Sequence, residues 1–458
     1  MSESESTAFK DDLLLLQPFS QKLEKYLTID HDFVSGSLVA SLNAPFGAGK
    51  TTFLSMWAED MRLRRASNTS VPLVLMLNAW ESDFCGDPLL AITSGLIQEL
   101  ERCSLSERPE AQDDLREAVK DVAWFTVGLA NNLASKWTGI DPVGAGNLAA
   151  EKKKARGRVS SDILKTYENR NCALQKLKEQ LRLIFGSEKP KALVIVDELD
   201  RCRPDYAINY LETIKHVFDI HGIVFVLGID RGHLASSARV LYGNQLNADE
   251  YFRKFFQRSF SLPSLSEAGI QKLVASYSAK FLSSEGKRTS QLNLRVAHQI
   301  MADFAMRLTM TARQIQELFR LMGHVTGNHT EEVMRIPWGA SAMTVMLISL
   351  KVARSEMYDQ LGTGRLSLED VGRFIKDLKL QRPLWWLMAY ALGVYDGNDR
   401  EFSEIETVLN KLELRQFVDS PTIIAFIRKH NDAWETFDGE NIQRIYRMIE
   451  SAASFGDR

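Results

Sequence analysis

Cysteine is scarce. Cys85, Cys103, Cys172 and Cys202 are the four in 458 residues, none stands in a CxxC pair, and no zinc spacing appears. A reduced, cytoplasmic compartment is the simplest expectation. Long apolar runs are also missing. Residues 122–134, 336–350 and 384–394 are the richest segments, and each is shorter than the roughly 18–20 apolar residues needed to cross a bilayer. They are expected to be buried helices, with no membrane span. The start, MSESESTAFKDD, lacks the basic and apolar regions of a signal peptide. The net charge of −3 excludes a wholesale polycation and leaves a local basic face open. None of the eight histidines pairs at a recognised metal spacing, and no tandem repeat is visible.

The apolar content of 45% and charged content of 25% are those of an ordinary globular chain, long enough for two or three domains. Residues 1–10 are expected to be disordered and 11–27 helical. Short apolar runs at 37–42, 73–78, 192–196 and 223–229 read as buried strands, with a short fifth at 259–262. Helical periodicity covers 50–65, where Phe53, Leu54, Trp57 and Met61 share a face, and also 88–100 and 206–219. The stretch 101–185 reads as a mixed helical insert, and everything beyond about 264 is helical. Strands alternating with helices predict a largely parallel sheet covered on both faces, with ligands at the carboxyl ends of its strands.

At the end of the first strand stands NAPFGAGKTTF, residues 43–53. The phosphate-loop pattern GxxxxGK[ST] is met from Gly49 on, but Ala44 replaces its first glycine. Backbone N–H groups of Phe46, Gly47, Ala48, Gly49, Lys50, Thr51 and Thr52 would cradle phosphates at a helix N-terminus. Lys50 would carry a cation to the β and γ phosphates, and Thr51 would offer its hydroxyl to Mg²⁺. Alanine at 44 is tolerable if its φ is negative. VGAGN at 143–147 has glycines but no lysine and no strand before it, so it reads as a loop.

The third strand runs into acid in ALVIVDELDRCRP, residues 192–204. Asp197 is placed to hold Mg²⁺ beside Thr51, and Glu198 to orient the attacking water. Asp200 and Arg201 are either an ion pair or part of the site. The adjacent Asp–Glu pair favours an ATPase with a built-in glutamate over a switch GTPase, and NKLE at 410–413 matches the guanine signature only weakly. Asp230, ending the fourth strand, is either a γ-phosphate sensor or a helix cap. Candidate arginines to neutralise the transition state are Arg231, Arg253, Arg258 and Arg313, each otherwise a surface or packing arginine. Arg313, opening the helix TARQIQELFRL, is the most interesting. The basic run 152–158 is either a solvated loop or a nucleic-acid contact, and Trp385 and Trp386 are either helix core or a partner groove.

With LNAPFGAGKTTFLSMW, LNAWESD at 77–83, VIVDELDRCRP, VFVLGIDRGHL, EYFRKFFQRSFSLP at 250–263 and TARQIQELFRLM in hand, the chain resembles the KAP family of P-loop NTPases over about residues 11–325. The resemblance implies a P-loop NTPase three-layer α/β sandwich of the additional-strand, catalytic-glutamate type, followed by an α-helical C-terminal region. It also implies ATP and Mg²⁺ as cofactors. By analogy Lys50 and Thr51 bind phosphate and metal, Asp197 holds Mg²⁺ and Glu198 activates water. Many members carry spans inserted between the loop and the acidic strand. Here Asn131, Asn132, Ser135 and Lys136 break the insert, which favours a soluble member. Bacterial relatives often serve phage exclusion or defence.

These readings divide the chain into an NTPase domain at 1–265, a lid-like helical region at 266–330 and a helical domain at 331–458. The expected activity is ATP hydrolysis coupled to recruitment of another protein or to assembly, with Glu198, Lys50 and Arg313 as the catalytic set. A nucleotide-gated, homo-oligomerising scaffold and a nucleic-acid-stimulated ATPase are the alternatives.

Overall fold

The computed structural model describes residues 8–10, 12–84, 86–102, 114–119, 168–169, 171–281, 294–327, 338–380, 386–387, 389–390, 407–408, 410–412 and 441–454. Cys85 and Cys103, the segment 122–134, VGAGN, the basic run and Trp385 lie outside these residues, as does most of the insert.

Five strands form one all-parallel sheet: β1 Leu38–Asn43, β2 Leu73–Asn78, β3 Ala192–Asp197, β4 Ile223–Ile229 and β5 Arg258–Ser261, in the order β2-β3-β4-β1-β5. β4 therefore lies between the strand that leads into the glycine loop and the strand that ends in acid. β3 and β4 are buried throughout because helices cover both faces, which is why they read as unbroken apolar runs. Leu73, Leu75, Val194, Val196, Phe225 and Leu227 share one core cluster with α3 (Ala79–Asp83), α4 (Pro88–Arg102), a helical stretch at 171–185, α5 (Pro204–Val217), α6 (Arg231–Tyr242) and α7 (Ala248–Phe252). Alternate residues face α2 (Lys50–Ser67), whose Leu54 packs onto Gly228. α1 (Gln17–His31) is tied to α2 by Glu24, which accepts from the Trp57 indole N–H at 2.8 Å and pairs with Arg64 at 2.6 Å.

The helix expected over 11–27 starts later, at Gln17. Pro18, with its fixed φ and missing N–H, suits a first turn and not an interior position. Within the stretch expected to be disordered, residues 8–10 form a turn with Phe9 buried, and 1–7 lie outside the described residues. β5 is shifted by one residue from the expected 259–262 and is an exposed edge strand, blunted by Arg258 and by its length of 4 residues.

The chain divides into two compact units. The first holds residues 1–11, 16–46 and 50–263, and the second holds 12–15, 47–49 and 264–458. The sheet belongs to the first. The described elements of the second are all helical: α8 (Glu267–Phe281), α9 (Leu294–Arg307), α10 (Ala312–Gly327), α11 (Trp338–Val352), α12 (Met357–Gly362), α13 (Leu368–Asp377) and α14 (Asn441–Ser454). Glu450 of α14 draws three of them together, accepting from Lys351 at 2.6 Å and Tyr358 at 2.7 Å. Trp386 is buried with its ring edge-on to Phe304, so this member of the tryptophan pair is helix core. Among the described residues no helix is long and apolar enough to cross a membrane.

Candidate functional site

The carboxyl edge of the sheet gathers several of the candidate side chains. Register puts Asn78 beside Asp197 on β2 and β3, and Asn43 beside Ile229 on β1 and β4. Beyond β1 the Ala44 amide donates to the Ile229 carbonyl at 3.1 Å, so the loop leaves the sheet still anchored to it. Gly47 and Gly49 take φ of +81° and +97°, the left-handed region that glycine enters without cost, whereas Ala44 is not among the residues with positive φ. The missing first glycine is thus accommodated, and the two glycines that remain are the ones the turn requires. α2 begins at Lys50, with Thr51 and Thr52 exposed in its first turn, and Phe46 and Ala48 lie in the loop before it.

Lys50 is buried. Its Nζ donates to the Ala44 carbonyl at 2.7 Å and lies 3.5 Å from Asp200 Oδ2. The same Asp200 oxygen accepts the Asp230 backbone N–H at 2.8 Å. The acid two positions past Glu198 is therefore an ion-pair partner at the heart of the cluster. Asp230, in turn, caps α6: its carboxylate accepts from the Gly232 amide at 3.0 Å and the His233 amide at 3.4 Å.

Asp197 is 3% exposed. Its Oδ1 accepts the Glu198 amide at 2.9 Å, and its Oδ2 is buried with no hydrogen-bond partner among the described residues. Burial pushes its pKa up. The Thr51 hydroxyl and the Glu198 amide pull it down, and the negative charges of Glu198 and Asp200 push it further up. Space for this carboxylate depends on Gly228, where a Cβ would stand 3.1 Å from Asp197 Oδ1 and 2.6 Å from Leu54 Cδ1.

Glu198 sits at φ +61°, a left-handed conformation unusual for a residue with a side chain, and opens a 3₁₀ turn over Leu199–Arg201. Both carboxylate oxygens are held. Asn78 Nδ2 donates to Oε2 at 3.3 Å, and Arg201 Nη2 lies 3.0 Å from Oε1. The sequence reading gave Asn78 no role. The available signal was positional, because Asn78 ends β2 as Asp197 ends β3. Two further ties dock LNAWESD onto DELDRCRP and the helix that follows it: Arg203 donates to Asp83 through its amide at 3.1 Å and Nε at 3.0 Å, and the hydroxyls of Ser82 and of Tyr206 in α5 are 2.9 Å apart. Cys202, buried among these acids, has its thiol pushed up to about 12, so it is an inert packing group.

The candidate arginines have separate fates. Arg231 pairs with Asp249 at 2.8 Å and Arg258 with Asp30 at 2.7 Å, while Arg253 closes the C-terminus of the short helix Ala248–Phe252. Arg313 opens α10 in the second unit, where its backbone N–H donates to the Gly47 carbonyl, of that same unit, at 3.1 Å.

These residues suit a nucleotide and a hard divalent cation. Two glycines at positive φ precede a helix N-terminus with a buried lysine beside it, which is an anion cradle. A buried carboxylate oxygen lacking a partner, next to a threonine hydroxyl, has the chemistry of donors that a hard divalent cation takes. No group of three His, Cys, Asp or Glu side chains able to hold a metal occurs among the described residues.

A parallel sheet with an extra strand between β1 and β3, and a glycine loop feeding a helix at its edge, define a P-loop NTPase domain of the additional-strand class. The chain belongs to the KAP family: the KAP family P-loop domain matches residues 16–327. No curated protein matches the chain. Among solved structures it is similar to Aeropyrum pernix ORC2 in its ADPNP-ADP complexes, at 12% identity over 94% of this chain and 97% of that one, with a TM-score of 0.37. It is also similar to Drosophila ORC bound to poly(dA/dT) DNA and Cdc6, at 12% identity over 97% and 71%, TM-score 0.33. Caenorhabditis elegans PCH-2 matches at 11% identity over 73% and 68%, TM-score 0.29. At these scores the likeness carries no argument about this chain.

Proposed function

We propose that the chain binds ATP with Mg²⁺ and hydrolyses it, and that nucleotide state governs recruitment of a partner protein or assembly. The observation that carries this reading is the buried, unpartnered Oδ2 of Asp197 beside Thr51, in the acidic stretch where Asp200 pairs with Lys50 and Arg201 with Glu198. Lys50 would leave Ala44 and Asp200 for the β and γ phosphates, with the loop amides sharing their charge. Thr51 and Asp197 would hold Mg²⁺, which when bound supplies Lewis-acid neutralisation of the phosphate oxygens. Glu198 would accept a hydrogen bond from the attacking water and orient it, with Asn78 fixing the carboxylate. Arg313 is the arginine proposed to stabilise the transferred charge.

The test is a pair of substitutions. Lys50→Ala should lose nucleotide binding, and Glu198→Gln should bind ATP but not turn it over. Unchanged hydrolysis in both defeats the assignment. A nucleotide-gated scaffold with little turnover is a second reading. It is favoured by the way Lys50 and Glu198 are both engaged by protein groups. Phosphate release measured together with mass in solution separates the two. A place in bacterial phage defence is proposed from the family alone and predicts that Lys50→Ala removes protection of a host carrying the gene.

A further inference from the structure

Arg201 lies outside the phosphate-binding set yet touches three parts of the candidate site. Its Nη2 is 3.0 Å from Glu198 Oε1. Its guanidinium carbon stands 4.8 Å from the centre of the Phe46 ring and 5.9 Å from that of Trp80. Phe46 belongs to the glycine loop after β1, and Trp80 to the short helix Ala79–Asp83 after β2. The rings are 48% and 52% exposed, so neither is core, and each adds a cation–π contact to a side chain already paired with a carboxylate. Glu198 itself is launched from a left-handed backbone, which fixes the base of its side chain but not the tip.

We propose that Arg201 is a positioning residue: clamped over Phe46 and Trp80, it holds the Glu198 carboxylate against Asn78, so that the conformation of the phosphate loop is transmitted to the water-orienting group through the Phe46 ring. A planar guanidinium is needed for this, because one flat group must stack on rings and donate in its own plane at once; an ammonium does only one of these. The inference rests on the role proposed for Glu198.

The test compares Arg201→Met, which keeps the stem and loses charge and plane, with Arg201→Lys, which keeps charge alone, each with and without Phe46→Leu. Arg201→Met should lower kcat by about 10- to 100-fold, a part of what a positioned base contributes. The KM for ATP and the affinity for ADP should stay within about twofold. Arg201→Lys should recover part of the loss. Phe46→Leu should slow turnover in the Arg201 protein and add nothing in the Arg201→Met protein. A nucleotide-free crystal structure of Arg201→Met should show the Glu198 carboxylate no longer on Asn78. Independent, multiplying losses from Phe46→Leu and Arg201→Met, a raised KM with unchanged kcat, or a Glu198 still seated on Asn78 would each overturn the proposal. If Glu198→Gln turns over ATP like the natural protein, the role of Glu198 falls and Arg201 with it. If Glu198→Gln is inactive and Arg201→Met is unimpaired, the Arg201 inference alone falls.

Discussion

The substitution Asp197→Asn should stabilise the nucleotide-free protein while removing its response to Mg²⁺ and nucleotide. The carboxylate is 3% exposed, and one of its oxygens has no hydrogen-bond partner among the described residues. A buried polar group left in that condition costs about 1–3 kcal/mol, more when charged. The amide is close to isosteric and keeps an oxygen to accept the Glu198 amide, so the bond at 2.9 Å survives, and its NH₂, though still short of acceptors, is neutral and costs less to bury than a charged oxygen. A gain of about 1–3 kcal/mol corresponds to a rise in Tm of roughly 2–4 °C per kcal/mol for a unit of this size. Opposing this, ligand present at 100 times its Kd stabilises by about 2.7 kcal/mol, and the Asp197→Asn protein should forfeit most of that because its amide cannot offer magnesium a charged oxygen. Scanning calorimetry in EDTA, in Mg²⁺, and in Mg²⁺ with ADP reads both effects. An Asp197→Asn protein that melts below the natural one in EDTA, or that keeps its full shift with Mg²⁺ and ADP, refutes the idea that this oxygen is held ready for a cation.

Other outcomes follow from the same packing. Gly228→Ala places a methyl group against Leu54 and Asp197, and should cost about 1–3 kcal/mol by overpacking while weakening Mg²⁺-dependent nucleotide binding, both readable in one calorimetric series. His31 is wholly buried and stacked on His221 at 4.3 Å, its Nε2 accepting the Gly222 amide at 3.1 Å. Burial, then the neighbouring His221, lower its pKa below the ordinary 6.5. The unfolded chain then takes up a proton that the folded chain refuses, so stability is unaffected above that value and falls as pH drops through it, by at most about 1.4 kcal/mol per pH unit. Urea unfolding at pH 7.5 and 5.5 should show this loss, and His31→Gln should shrink it; an equal loss in both proteins would place the acid sensitivity elsewhere.

How much of this was legible beforehand depends on whether a feature is local. β2 and β4 match the runs expected at 73–78 and 223–229 residue for residue; β4 is buried along its whole length because both faces are covered, whereas β2, at the edge of the sheet, is buried only over its first three residues. The glycine loop, with α2 starting at Lys50, is encoded in one short segment whose backbone demands particular residues. The late start of α1 was also written locally, in Pro18, but periodicity alone overrode it. Asn78 stood inside the quoted LNAWESD, but its partner was invisible because its importance is positional: nothing about an asparagine before AWESD indicates a carboxylate 120 positions away. Asp230 and Asp200 stayed ambiguous for the same reason, since a cap and a sensor, or an ion pair and a member of the site, use identical residue types.

By itself, then, the sequence determined the order of strands and helices and the two motifs, since each rests on backbone preference and periodicity within a few residues, and the motifs carried the family resemblance. Tertiary structure alone decided that β4 separates β1 from β3, that Lys50 rests on Asp200, and that Arg201 lies over Phe46 and Trp80 while gripping Glu198. Those pairings join segments far apart in the chain, and they depend on which strands become neighbours, a choice settled by burying the whole sheet at once and not by any one stretch of residues.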